Sequence, residues 1–97
     1  MRILDLSETS VSDAGLPYLG ALRDLSDLTL DGTAITDAGL ATLIDFLSLE
    51  SLDLRNTSIT DAGLARLDAL QKLRTVYAHG TAVTPAGAAA SRAEVFL

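Results

Sequence analysis

The sequence predicts an α/β solenoid of about four coils, with a concave parallel β-sheet inside and α-helices outside. Three observations carry this expectation. Thr9, Thr33, Thr57 and Thr81 are each 24 residues apart, and the same shift superimposes Asp13, Asp37 and Asp61 as well as Gly15, Gly39, Gly63 and Gly87. The first half of each unit alternates apolar and polar residues, the period-two mark of a strand with one buried face. The second half changes to spacings near three and four, which place one apolar stripe on a helix.

The leading positions keep the same register: Met1, Leu25, Leu49 and Leu73, then Leu4, Leu28, Leu52 and Val76, then Leu6, Leu30, Leu54 and Ala78. Strands are therefore expected near 3–6, 27–30, 51–54 and 75–78. Val11, Leu16, Leu19 and Leu22, followed in the next unit by Ile35, Leu40, Leu43 and Phe46, form the helical stripe. Ser12, Thr36, Thr60 and Thr84 stand ahead of that stripe as N-caps, because a hydroxyl there accepts from an otherwise unpaired first-turn amide. Asp13, Asp37 and Asp61 follow at the positive end of the helix dipole. Pro85 takes that slot in the last unit, where a missing N–H costs nothing.

The glycine of each Ala-Gly pair is expected to serve close packing between neighbouring helices. A phosphate loop would instead cluster its glycines in one turn beside a lysine. The recurrent threonines are expected to bury their hydroxyls against the turn leaving each strand, since a buried hydroxyl must find a partner. One strand and one helix cannot close a core alone, so each unit must cover its neighbour. Strands pair at about 4.7–4.9 Å and helices pack at roughly 8–10 Å, so the stack bends with the strands on the concave side.

The unit L-x-x-L-x-L-x-x-T-x-[VI]-[ST]-D-A-G-L-x-x-L resembles the leucine-rich-repeat superfamily over residues 1 to about 92. Its Ile-Thr-Asp-Ala-Gly-Leu segments at 35–40 and 59–64 are similar to the cysteine-containing repeats of F-box proteins, with threonine where those carry cysteine or asparagine. The 24-residue length is closer still to the threonine-type repeats of bacterial proteins. The resemblance implies a binding scaffold, usually for protein ligands, without conserved chemistry of its own. No F-box precedes the repeats, so a ubiquitin-ligase role gains no support from it.

A single domain spanning 1–97 is expected, divided into repeats 1–24, 25–48, 49–72 and 73–97. In the last repeat Ala78, Ala88 and Ser91 replace consensus leucines and Glu94 falls on the position of Leu22, Phe46 and Leu70. Residues 85–97 are thus expected to be a degenerate C-terminal cap, with Val95, Phe96 and Leu97 folding back over the tapering core.

Charge and composition narrow the partners. Thirteen acidic residues against seven basic ones give a formal charge of -6, which disfavours nucleic acid and anionic membranes because both are polyanions. There is no apolar run of the length a membrane span needs, and Asp5 with Glu8 interrupts any signal-peptide core, so a soluble, by default cytoplasmic chain is expected. Cysteine is absent, which removes disulfides, thiolate zinc sites and a cysteine nucleophile. Neither an H-E-x-x-H pair nor a G-x-S-x-G elbow is present. No enzyme activity, cofactor or metal site is expected. The acidic side chains Asp5, Asp27, Asp31 and Asp53 spread over three coils, whereas calcium asks for six to eight oxygens converging on one point.

Side chains between the strand leucines point into the concavity. They form four ladders: Ile3, Asp27, Ser51 and Thr75; Asp5, Thr29, Asp53 and Tyr77; Ser7, Asp31, Arg55 and His79; and Glu8, Gly32, Asn56 and Gly80. The partner-binding residues are expected among them: Asp27, Thr29, Asp31, Asp53, Arg55, Tyr77 and His79. Tyrosine and arginine are enriched at interface hot spots, and the acidic half suits a protein or peptide carrying basic and apolar groups. The alternative function is self-assembly, or the C-terminal piece of a longer array, through an uncapped first coil. Ile3, Leu4, Leu6, Val11, Leu16 and Leu19 would then meet a second copy in a homodimer.

Overall fold

The computed structural model describes residues 2–22 and 24–97, so the leading position Met1 lies outside the described residues. Five strands, β1 (Ile3–Asp5), β2 (Asp27–Thr29), β3 (Ser51–Asp53), β4 (Thr75–Tyr77) and β5 (Glu94–Phe96), form one sheet in sequence order. Every pairing is parallel. The helical segments are a 3-10 helix (Asp13–Leu22), α1 (Asp37–Leu43), α2 (Asp61–Arg66) with a 3-10 extension (Leu67–Ala69), and α3 (Pro85–Ala90). Each helical segment returns the chain to the start of the next strand, the crossover that parallel pairing requires.

The first four strands keep the sequence register: Leu4 faces Leu28, Leu28 faces Leu52, and Leu52 faces Val76. These residues, with Leu30, Leu54, Leu16, Leu40 and Leu64, fill the layer between sheet and helices, and all except Leu4 are buried. Each such leucine contributes roughly 1.5–3 kcal/mol by leaving water. That burial holds helices of six or seven residues, which would be marginal alone.

Pro17 lies inside the first helical segment, which is 3-10 throughout, whereas α1, α2 and α3 are α-helices. Proline has no N–H to donate four residues back, so the α pattern cannot form across it. Capping follows the expected positions in the later units: Ala38 N–H donates to Thr36 Oγ1 at 3.3 Å, Ala62 N–H to Thr60 Oγ1 at 3.3 Å, and Gly87 N–H to Thr84 Oγ1 at 3.2 Å. No capping bond to Ser12 occurs among the described residues. The threonine ladder also takes its expected partners: the hydroxyls of Thr33, Thr57 and Thr81 donate to Leu30, Leu54 and Ala78 carbonyls at 2.7, 2.7 and 2.6 Å.

The aspartates do more than face a helix dipole. Asp37 Oδ1 accepts the Thr60 N–H at 2.8 Å while Oδ2 accepts the Thr60 hydroxyl at 2.6 Å. Asp61 grips Thr84 in the same two ways, at 2.8 and 2.6 Å. Asp13 accepts the Thr36 N–H at 2.8 Å and also the Thr36 hydroxyl. Each carboxylate thus clamps the cap of the following unit. It sits where a side chain on the next glycine would lie: an ideal Cβ on Gly63 would be 2.7 Å from Asp37 Cγ, and one on Gly87 2.8 Å from Asp61 Oδ2. The glycines make room for a carboxylate, a closer constraint than helix packing in general.

The C-terminus differs from the expected fold-back. Glu94 pairs with Thr75 and Phe96 with Tyr77, a shift of 19 where earlier strands shift by 24. α3 is the Ala-rich segment Pro-Ala-Gly-Ala-Ala-Ala, and its C-cap Ser91 is already extended. The chain therefore reaches the sheet early, and Glu94, Val95 and Phe96 extend the sheet as an added strand, with Leu97 just beyond it.

Candidate functional site

The helices cover one face of the sheet, and the other face stays open. Parallel register places Ile3, Asp27, Ser51, Thr75 and Glu94 in one row across it, and Asp5, Thr29, Asp53, Tyr77 and Phe96 in the next. Asp27 and Thr29 are half-buried on β2, Asp53 is buried on β3 and Tyr77 is exposed on β4. Asp31, Arg55 and His79 follow the ends of β2, β3 and β4, half-buried in the first case and exposed in the other two.

Four of these residues converge. Arg55 Nε donates to Asp53 Oδ1 at 3.0 Å and Nη2 to Asp53 Oδ2 at 2.7 Å, a forked pairing that fits a planar guanidinium to a carboxylate. Nη2 also lies 3.6 Å from Asp31 Oδ2. Hydrogen bonding and then the charge of Asp53 raise the Arg55 pKa above its ordinary value, and a guanidinium in a protein keeps its charge in any case. Its Cζ sits 6.0 Å from the centre of the Tyr77 ring, at the edge of cation–π range. Asn56 Nδ2 donates to the other Asp31 oxygen at 2.9 Å, so Asp31 is tied to the same cluster.

Phe96 completes the row. Its ring stacks on Tyr77 with centroids 5.4 Å apart and planes 19° apart. Tyr77 and Phe96 remain 39% and 45% exposed, and together they form an aromatic step on a face whose other paired-strand side chains, Ile3 apart, are polar. Neither Phe96 nor Glu94 was expected here, because a 24-residue shift assigns them to helix and cap. The signal lay in the alternation of Ala93-Glu94-Val95-Phe96, whose Val-Phe repeats the Val76-Tyr77 of β4.

Other expected site residues separate. Asp27 and Thr29 join no side-chain hydrogen bond of the Arg55 cluster among the described residues, and Asp5 is occupied locally by Ser7. The Ser7 hydroxyl, then its N–H, hold the Asp5 carboxyl below the ordinary range. The ladder of Glu8, Gly32, Asn56 and Gly80 is a turn device: all four have positive φ, at 55°, 72°, 58° and 77°. At the first strand Ile3 is 65% exposed, while Leu4, Leu6, Val11 and Leu19 are half-buried. Leu16 is fully buried. It packs toward Gly39 of the second unit, so it belongs to the core and not to an open edge.

A shallow depression between α2 and α3, lined by Asp61, Leu64, Ala65, Asp68, Gly87 and Ser91 among others, contains none of the expected binding residues. No helix among the described residues is long and apolar enough to cross a membrane.

A family model described as "Leucine Rich repeat" matches residues 47–67, from the end of the second unit through β3 and α2. The match supports leucine-rich-repeat membership, and the five-stranded parallel α/β architecture is compatible with it. Leucine-rich-repeat domains commonly mediate protein–protein interaction and are typically non-catalytic. A search of curated proteins finds no match to the chain.

Proposed function

We propose that this chain is a non-catalytic interaction scaffold, a solenoid of threonine-type repeats that holds a protein or peptide partner on the concave face of its sheet. The observation that carries this reading is the Arg55–Tyr77–Phe96 cluster, in which two exposed aromatic rings stand on the open sheet face beside acidic side chains. Exposed aromatic surface of this kind supplies contact area at small conformational cost, and backbone pairing fixes its position. Asp27, Thr29, Asp31, Asp53 and His79 would line the rest of the contact.

The test is selection of binders from a random peptide library on the folded chain, followed by substitution. Tyr77→Ala or Arg55→Ala is expected to weaken selected binders by about 2 kcal/mol or more, as hot-spot residues do. Arg66→Ala, on α2, is expected to leave them unchanged. Binders that survive both sheet-face changes and are lost with Arg66→Ala would move the site to the helical side.

Ile3 favours a second reading. It is largely exposed on β1, which pairs only with β2 among the described residues. Such an edge can template a second copy, giving the homodimer that the first unit's composition suggests.

A further inference from the structure

We propose that the outer face of Phe96, together with Glu94, is a subsite for a cationic side chain of the partner, one guanidinium or ammonium carried on an extended peptide. This inference rests on the sheet-face reading above and names the chemistry that the C-terminal end of that face accepts.

Three features carry it. First, the aromatic row is already half of a cation-binding stack. Arg55, just past the end of β3, has its Cζ 6.0 Å from the Tyr77 ring centre, and the Phe96 ring on β5 stacks on Tyr77 of β4, so a guanidinium and two rings already adjoin one another. β5 is the last strand of the sheet among the described residues, so the face of Phe96 turned away from Tyr77 is on the side where no described strand pairs. A ring face attracts a cation through its quadrupole, whichever chain supplies it.

Second, the nearest charged group on that strand has the matching sign. Glu94 is two residues before Phe96 and on the same side of the sheet, in the row next to it. It is exposed and takes part in no salt bridge or side-chain hydrogen bond among the described residues. Two strand positions span roughly 7 Å, so a cation resting on the Phe96 ring lies within reach of the Glu94 carboxylate. Arg92, the nearest basic residue in sequence, is turned toward the preceding unit, where its N–H and Nη1 bond Asp68.

Third, among the described residues the open face presents no free arginine or lysine to repel an incoming cation. Arg55 is its one arginine among the described residues and is held by Asp53 and Asp31, while Asp5, Asp27 and Glu94 add negative charge. An acidic partner would meet these carboxylates unscreened. A cationic partner gains from them in both approach and contact.

The probe is the peptide acetyl-Gly-Arg-Gly-Arg-Gly-amide, compared with the same peptide carrying citrulline, which keeps the side-chain shape and removes the charge. Each is titrated into the full chain while the Phe96 ring and Glu94 side-chain NMR signals are followed. The arginine peptide is expected to shift both sets of signals saturably, and the citrulline peptide to bind roughly three- to tenfold more weakly, the span of an exposed cation–π contact with a nearby carboxylate. Phe96→Leu and Glu94→Gln should each weaken the arginine peptide and leave the citrulline peptide nearly unaffected. The wild-type comparison needs no variant, so misfolding of Phe96→Leu would not obscure the result. Equal binding of the two peptides at Phe96 would overturn the inference, as would the absence of any shift there. Shifts confined to Asp27, Thr29 and Asp53 would also overturn it while leaving the sheet-face reading intact. Shifts confined to α1–α3 would remove both.

Discussion

The carboxylate of Asp37 fills the space that a side chain on Gly63 would require, and from there it binds both the N–H and the hydroxyl of Thr60. Aspartate, threonine and glycine from two successive units form one joint. The joint recurs between Asp13 and Thr36 with Gly39, and between Asp61 and Thr84 with Gly87. Gly63→Ala must therefore displace a charged hydrogen-bonding group, and we expect a loss of roughly 2–3 kcal/mol by urea unfolding. Gly20→Ala, at a position with nothing within 4 Å of the new methyl, should be neutral or slightly stabilising. Asp37→Asn keeps one acceptor for the Thr60 N–H and should cost less than Asp37→Ala. Thr60→Ala removes a cap and a clamp together, so it should exceed the roughly 1 kcal/mol typical of a cap alone. If Gly63→Ala and Gly20→Ala proved equally harmless, the joint would have no energetic weight.

Acid should weaken the joint that Asp61 makes. The Thr84 hydroxyl, followed by the Thr84 N–H, holds the Asp61 carboxyl below its ordinary value, against a smaller opposing effect of burial. As pH falls the unfolded chain takes up this proton first. The stabilisation is then complete above the ordinary aspartate value of about 3.9 and is lost as pH falls through the lower folded value. The urea midpoint should drop below about pH 4, with a shallower drop in Asp61→Asn. Identical acid profiles for the two proteins would remove Asp61 from this account.

The left-handed turn after each strand supplies a third measurement. Gly32 and Gly80 occupy it without steric cost, Asn56 tolerates it, and Glu8 holds φ 55° with a full side chain. Glu8→Gly should raise stability by up to about 1 kcal/mol, the strain relieved less the added entropy of the unfolded chain. Gly80→Ala should lose roughly 1–2 kcal/mol, because its φ is 77° and the new methyl would press on the Asn56 amide. Circular dichroism and urea titration decide both, and a destabilised Glu8→Gly would mean that the glutamate side chain contributes more than its backbone strain removes.

Much of this fold was legible because each signal was local and repeated. Leu28, Leu52 and Val76 mark the strands by period two, and Thr36, Thr60 and Thr84 mark the helix starts by hydroxyl chemistry. What escaped was of two kinds. The clamp of Asp37 on Thr60 joins residues 23 apart, and helix-dipole reasoning, which is confined to one element, already gave Asp37 a sufficient role. β5 escaped because the unit shortens, so that a fixed shift moved Glu94 and Phe96 off the sheet. The aromatic row was therefore half visible: alternation assigned Tyr77 to the strand face where its pairing puts it, but the Phe96 ring that stacks on it was not assigned there. Pro17 was visible as a residue and still did not disclose a 3-10 segment, since proline is tolerated near helix starts and its effect depends on which carbonyl loses its donor.

The first strand offers the last prediction, and Ile3 and Leu16 separate its two possible outcomes. Both belong to the first unit, yet Ile3 is 65% exposed on the outermost strand whereas Leu16 is fully buried against the second unit. If copies associate through this edge, Ile3→Lys should convert a dimer to a monomer without loss of secondary structure, because it places a charge on a strand that pairs only with β2 among the described residues. Leu16→Glu should instead unfold the chain at any concentration, since it buries a carboxylate without a partner. Light scattering and circular dichroism on the two variants and the parent chain give the answer together. A parent chain that stays monomeric at high concentration would rule out the edge as a self-association surface. A dimer unaffected by Ile3→Lys and disrupted by Tyr77→Ala would place the contact on the sheet face, where Tyr77 and Phe96 already expose two stacked rings.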